Sequence, residues 1–257
     1  MSKNRLAVVT GASSGIGYHL AQCAASQGYD LILAADRPMA EVCASLSATG
    51  VNVETLEIDL SEVMNVDRLM EVINGRTVDA LMANAGHGLG NRFLEQDFSL
   101  IQHVINTNIT GTVYLVQKIA QSMVLNGHGQ ILITGSIVGF QPGPFHAVYN
   151  ASKAFINSFT AALRNELKNT PVTVTCLMPG ATDTDAFARA GMLNTIVGSA
   201  KQFQMDAAKV AAVGFKAMQD GKADVVAGLL NKAIVAVSKI LPAQALAELH
   251  RQVAQPR

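Results

Sequence analysis

A phenol and an ammonium stand four residues apart at Tyr149 and Lys153, and the hydroxyl of Ser136 lies thirteen residues before the tyrosine. On a helix, Tyr149 and Lys153 fall about 40° apart around the axis and one turn from each other. An ammonium beside a phenol favours the phenolate, whose ordinary pKa is about 10. That predicts a proton donor or acceptor usable near neutral pH. The same spacing also describes one polar face of a surface helix, so its meaning depends on what the chain sets beside it.

The elements that must position these groups follow a repeating order. Residues 6–10 form a short, β-branched-rich apolar run and predict a strand. Gly11-Ala12-Ser13-Ser14-Gly15-Ile16-Gly17 follows as a glycine-rich turn, then helical periodicity over 18–27 with Gly28 as the stop. Strand, glycine turn and helix make a pyrophosphate cradle, although the spacing is G-x-x-x-G-x-G and not G-x-G-x-x-G. A second strand over 30–35 is followed by Asp36, placed to bind ribose hydroxyls or to cap a helix over 39–48. Arg37 comes next and suits a 2′-phosphate. Further strands are predicted over 51–58, ending at Asp59-Leu60, and over 78–82, ending in Ala83-Asn84-Ala85-Gly86. Asp59 either caps the helix predicted over 61–73 or faces an adenine ring. A long helix is predicted over 97–125, with Asn106, Asn108 and Gly111 inside it. These are poor interior residues, so they call for a kink that frees a carbonyl or, at Gly111, for close helix packing. Strands over 129–134 and 171–177 flank a helix over 149–167, and a helix over 207–219 precedes a seventh strand over 224–227.

Strands alternating with helices predict an α/β, three-layer, doubly wound Rossmann-type fold with a mostly parallel seven-stranded sheet. Ligands on such sheets bind beyond the carboxyl ends of the strands. Gly11, Asp36, Asp59, Asn84, Ser136 and Pro179-Gly180 each follow a different strand, so all fall on one edge of the sheet. The motif therefore meets a candidate nucleotide site.

Composition narrows the partners. The chain has 257 residues, 49% of them apolar, which suits one large domain with a sizeable core. Lys+Arg and Asp+Glu are 19 each, which gives no electrostatic reason to expect nucleic acid or an anionic membrane. Cys23, Cys43 and Cys176 are odd in number and lack C-x-x-C spacing; they read as small packed residues in a reducing, cytoplasmic setting, with no metal site. The apolar stretch after Met1-Ser2-Lys3-Asn4-Arg5 is too short for a signal peptide. Residues 227–247 are apolar but are interrupted by Asn231, Lys232, Ser238, Lys239 and Pro242, which predicts a core helix pair over a membrane span.

From about Arg5 to Val226 the chain resembles the short-chain dehydrogenase/reductase family. The residues that carry the resemblance are Thr10 to Gly17, Asp59, Asn84-Ala85-Gly86, Asn108, Ser136, Tyr149 with Lys153, and Pro179-Gly180 with Thr182 and Thr184. The resemblance implies hydride transfer between a nicotinamide and a carbonyl/secondary alcohol pair, as a short-chain alcohol dehydrogenase or carbonyl reductase. It implies Tyr149 as general acid/base, Lys153 as ribose ligand that lowers the Tyr149 pKa, Ser136 as donor to the substrate oxygen, and Asn108 as holder of a relay water. The cofactor residues it implies are Gly11, Ser13, Ser14, Gly15, Ile16 and Gly17 at the turn, Asp36 and Arg37, Asp59 and Leu60, and Asn84, Ala85 and Gly86. Tyr149, Lys153, Pro179, Gly180, Thr182 and Thr184 complete that set. Asp36 favours NAD, while Arg37 keeps NADP open. Gly135 departs from the family pattern, which often has a serine there, and His87 reads as a loop residue.

On this reading residues 1–257 are one NAD(P)-binding Rossmann domain, with 183–205 as an apolar substrate-covering loop and 228–257 as a helical extension over the cleft or a subunit contact. Phe140, Phe145 and His146 are expected to line the cleft with the apolar residues of that loop. Excess apolar surface on the helices around Asn108 and after Tyr149 predicts a homodimer or homotetramer. A non-catalytic nucleotide-binding regulator on the same fold is the alternative. Epimerase or dehydratase chemistry on a nucleotide sugar would need a larger C-terminal domain than the chain has room for.

Overall fold

Most of the seven strand-forming runs in this sequence are apolar on both faces, and a parallel sheet covered by helices on both sides is the arrangement that buries them, with the alternating run 53–57 and the short run 224–226 at its edges. The computed structural model describes residues 5–257, and in it these runs are β1 (Leu6–Thr10), β2 (Asp30–Ala35), β3 (Val53–Glu57), β4 (Ala80–Ala83), β5 (Gly129–Thr134), β6 (Val172–Met178) and β7 (Asp224–Val226). The reading of Met1 to Asn4 lies outside the described residues. All strands pair in parallel, in the order β3-β2-β1-β4-β5-β6-β7. The order reverses between β1 and β4, which opens a crevice beyond their carboxyl ends.

One face is covered by α1 (Gly15–Ser26), α2 (Ala40–Ser47) and α9 (Ala207–Gln219). Leu20, Ala24, Leu46, Val210 and Phe215 pack there on Val9, Leu31, Leu33 and Leu132. The other face carries α3 (Val63–Ile73), α5 (Thr112–Asn126) and α6 (Ala147–Glu166). Val66, Leu69, Leu115, Ile119 and Ile156 pack there on Val8, Ile32, Leu81 and Ile131. The free thiol of Cys176 is buried, and those of Cys23 and Cys43 are half-buried. Among the described residues no helix is long and apolar enough to cross a membrane, and no cluster of metal-ligating side chains occurs.

Two departures from the sequence reading have a local cause. The helix predicted over 97–125 is three pieces: α4 (Phe98–Ile105), a π-helical turn (Asn106–Gly111) and α5. A Cβ on Gly111 would stand 2.0 Å from the Leu60 carbonyl oxygen, so the backbones touch and only glycine fits. The helix is irregular here, and the close approach at Gly111 is to the turn before α3, not to another helix as expected. The loop over 183–205 contains α7 (Ala186–Arg189) and α8 (Ile196–Ser199). After β7 the chain continues as α10 (Leu229–Ser238) and α11 (Ala243–Ala254), the latter packed on α8.

Candidate active site

The strand ends converge on a cleft of about 570 Å³. Gly11, Asp36, Asp59, Asn84, Ser136 and Gly180 all line it, as the alternation of strands and helices predicts. Of the cofactor residues expected from sequence, Gly17 alone does not line the cleft. A Cβ there would stand 2.1 Å from the Gly11 carbonyl oxygen, so Gly17 lets α1 close onto the turn. Gly11 and Gly15 adopt φ of 66° and 56°, which side-chain-bearing residues rarely hold. Ser14, the N-cap of α1, makes no side-chain capping bond, so the helix presents uncapped N–H groups to the cleft. Backbone space, uncapped N–H groups and a long slot fit a dinucleotide pyrophosphate.

At one end of the slot Asp36 meets Arg189 of α7 and His87, whose Nε2 lies 3.2 Å from Asp36 Oδ2. The His87 hydrogen bond holds the Asp36 carboxyl well below its ordinary pKa, with the Arg189 charge adding to it against the cost of burial. Asp36 does not cap α2, whose N-cap is Met39. Arg37 reaches Ser14 Oγ at 3.0 Å and Asp185 at 3.3 Å. Asp59 accepts from the Ser61 N–H at 2.8 Å, closing the turn before α3, and also lines the cleft.

The middle of the slot holds the proton-transfer candidates. Ser136 follows β5, and Tyr149 and Lys153 share one face of α6. Ser136 Oγ donates to the Pro179 carbonyl at 3.2 Å, which ties the end of β5 to the end of β6. Tyr149 lies close to Ser136, and Lys153 Nζ donates to the Thr134 carbonyl at 2.8 Å. The Lys153 ammonium lies 5.8 Å from the centre of the Tyr149 ring. Burial pushes the Tyr149 phenol up to about 12, against a smaller lowering by the Ser136 hydrogen bond. Burial likewise pushes Lys153 down to about 8. Desolvation disfavours both charged forms and is the largest influence on each group.

The Asn108 side chain is buried and does not line the cleft. Its Oδ1 accepts from the His87 N–H at 2.8 Å, and its Nδ2 donates to the His87 carbonyl and to Ser152 Oγ, each at 2.9 Å. It therefore clamps the turn after β4 onto α6. Asn84 bridges Thr10 and Thr134, tying β4 to its two neighbours.

Asn157 escaped the sequence reading. Its Nδ2 donates to the Ser136 carbonyl at 2.9 Å and its Oδ1 faces the Ser136 N–H at 3.3 Å, fixing the serine backbone. Its position one turn after Lys153, on the same face, was the available signal. Asn157 also accounts for Gly135: a Cβ there would stand 2.1 Å from Asn157 Oδ1.

The far end of the slot is apolar. Phe187, Ile196, Val197 and Phe203 of the loop line it, whereas Met192 is buried beneath the loop and Leu193 is exposed. His146 lines it as expected, but Phe140 and Phe145 turn away. Phe140 packs beside Ile137 and Val235, and Phe145 packs on Ala190, Met192 and Ala254. His250 and Val253 of α11 complete the wall, so the C-terminal helix covers the cleft.

The family profile described as short chain dehydrogenase matches residues 5–192. An uncharacterized oxidoreductase of Staphylococcus saprophyticus is 35% identical over 187 residues, covering 71% of this chain and 80% of that protein. The solved structure of a short-chain dehydrogenase from Sphingobium yanoikuyae in complex with NADPH is similar at 27% identity and a TM-score of 0.81, covering 93% of this chain and 96% of that one. That of a short chain dehydrogenase/reductase from Burkholderia phymatum in complex with NAD is similar at 25% identity and a TM-score of 0.81, covering 99% of this chain and 98% of that one.

Proposed function

The chain belongs to the short-chain dehydrogenase family and is an oxidoreductase, and on that premise we propose that it reduces a ketone or aldehyde to its alcohol, with Tyr149 as the proton donor. The observation that carries this reading is the cluster of buried Ser136 and Lys153 with half-buried Tyr149, beside a slot that fits a dinucleotide. The bound nicotinamide would supply the hydride, or accept it in the reverse direction.

The residues of the chain do the rest. The glycine turn and the start of α1 hold the pyrophosphate, with Asp36 toward the ribose hydroxyls and Thr182 and Thr184 at the nicotinamide end. Ser136, braced by Asn157, turns its hydroxyl from the Pro179 carbonyl to donate to the substrate oxygen. Tyr149, kept neutral by burial, holds its proton at Oη until that oxygen becomes basic. Lys153 keeps the phenol oriented and offsets negative charge left on it. Asn108 acts as a positioning residue, fixing His87 and α6. The proposed layout is one domain over 1–257, with 183–205 as substrate cover and 228–257 as the wall behind it.

NAD is the proposed cofactor, on the strength of Asp36. NADP is the second reading, because two guanidiniums, those of Arg37 and Arg189, flank that carboxylate. The exposed apolar residues Phe98, Leu100, Leu125 and Phe155 on α4, α5 and α6 support a homodimer or homotetramer. The free thiols support a cytoplasmic location. Sedimentation showing only monomer at micromolar concentration would overturn the oligomer. Initial rates on a panel of ketones and aldehydes, with NADH and NADPH side by side, test the activity. Turnover with NADH preferred is expected; oxidation of neither cofactor by any of them would overturn the proposal in favour of a nucleotide-binding regulator.

A further inference from the structure

The proposed chemistry uses neither of two histidines that share the substrate end of the cleft. His146 immediately precedes α6, and His250 lies near the end of α11, more than a hundred residues later in the chain. Their rings stack with centres 6.5 Å apart, and His146 in turn stacks on Tyr149 at 4.4 Å. The side chains are buried, with exposures of 7% and 6%. In both, Nε2 is shut away from solvent and has no hydrogen-bond partner within the protein. Such an atom is costly to bury, and two in one wall of a substrate cleft are rare without a role. The space beside His146 Nε2 is kept open by Gly88, where a Cβ would stand 3.4 Å from that nitrogen.

The chemistry they can recognise is narrow. Gln141 Nε2 lies 3.4 Å from His250 Nδ1, and an amide nitrogen can only donate. His250 Nδ1 is therefore the acceptor, and the ring proton sits on Nε2 as a free donor. His146 Nε2 is a donor or an acceptor according to tautomer, so a hydroxyl satisfies it either way. Burial holds both imidazoles neutral, pushing His146 down to about 3 and His250 to about 4. The charged residues lining the cleft are Asp36, Arg37, Asp59, Lys153, Asp185 and Arg189. Lys153 belongs to the reaction centre, and the other five lie toward the cofactor end. An anionic group at the histidine end would have no counter-charge.

Resting on the carbonyl-reductase reading above, we propose that His146 and His250 are a second polar anchor for substrate. The substrate class this selects is an apolar ketone with an uncharged second oxygen, hydroxyl or carbonyl, a few bonds from the reacting carbon. The apolar remainder lies against Ile196, Val197, Phe203 and Val253.

The test compares decyl methyl ketone, its β-hydroxy analogue and the β-keto carboxylate of equal length, with NADH and with NADPH. Wild-type protein is expected to show kcat/KM about tenfold higher for the hydroxyketone than for the plain ketone, with the carboxylate lowest. His250→Phe should bring the two ketones close together, and His250→Gln, which keeps an N–H, should retain part of the preference. NADH fluorescence titration confirms that each variant still folds and binds cofactor. Equal turnover of both ketones by wild-type protein, preference for the carboxylate, or a preference left intact by His250→Phe would overturn the anchor alone. Turnover of none of the three with either cofactor would overturn the carbonyl-reductase reading, and the anchor with it.

Discussion

The two ends of the cleft are built on different principles. The cofactor end is made of strand termini and backbone: Gly11 and Gly15 in left-handed conformations, the uncapped start of α1, and Asp36 directly after β2. The substrate end is made of side chains that meet only in three dimensions, with His146 before α6, Phe187 on α7 and His250 on α11. The first is polar and rests on the sheet. The second is apolar, with two buried imidazoles, and rests on helices outside the sheet. Backbone cradles suit a ligand whose phosphates never vary, whereas a side-chain wall can change with the substrate while the sheet stays fixed.

Substitutions at and around the junction of these ends test that division. Tyr149→Phe should lower kcat by about a thousandfold while the Kd for NADH, read by fluorescence, shifts by no more than about twofold. A variant retaining most of its activity would remove Tyr149 from the proton-transfer role. At the cofactor end, Gly17→Ala forces a Cβ against the Gly11 carbonyl and should cost about 3 kcal/mol of stability, seen in denaturant unfolding, together with weakened cofactor binding. Unchanged stability would mean that the turn is not the rigid cradle described.

Acid should strike the substrate end first. The folded-state pKa values of His146 and His250 lie below the ordinary 6.5, at about 3 and about 4. Between those values and 6.5 the unfolded chain binds more protons, so stability falls as the pH drops through that window. Each imidazole should account for no more than about 3 kcal/mol between pH 7 and pH 4. The double variant His146→Phe with His250→Phe should flatten the stability profile over that range, and a profile of unchanged slope would place the imidazoles in solvent. The smallest effect is expected at Asp36→Asn, which should move the NADH-to-NADPH preference in kcat/KM by about tenfold toward NADPH. No movement would show that Arg189 and His87 already neutralise this carboxylate.

The contrast also explains what could be read from the chain. Glycine positions, apolar strands and acids after strands are local signals, and they located the sheet, its order of elements and nearly all of the residues that line the polar end of the cleft. Asn157 left a signal too, its helical register with Tyr149 and Lys153. The π-helical turn showed itself only as residues ill-suited to a helix interior; its cause, contact between Gly111 and the Leu60 carbonyl, is a meeting of distant segments. Phe140 and Phe145 misled because a loop residue's direction is set by what packs behind it. Here that is Val235 for Phe140, and Met192 with Ala254 for Phe145.

By itself the sequence determined the alternation of strands and helices, the edge on which the functional groups collect, and the pairing of Tyr149 with Lys153 on one helical face. Those features follow from periodicity and backbone stereochemistry, which act within a few residues. Only the tertiary structure decided that burial raises the Tyr149 pKa, that Asn108 clamps a turn with its side chain, and that His250 shares a cleft with His146. Desolvation and the satisfaction of buried polar atoms depend on every segment surrounding a group, and those segments are far apart in the chain.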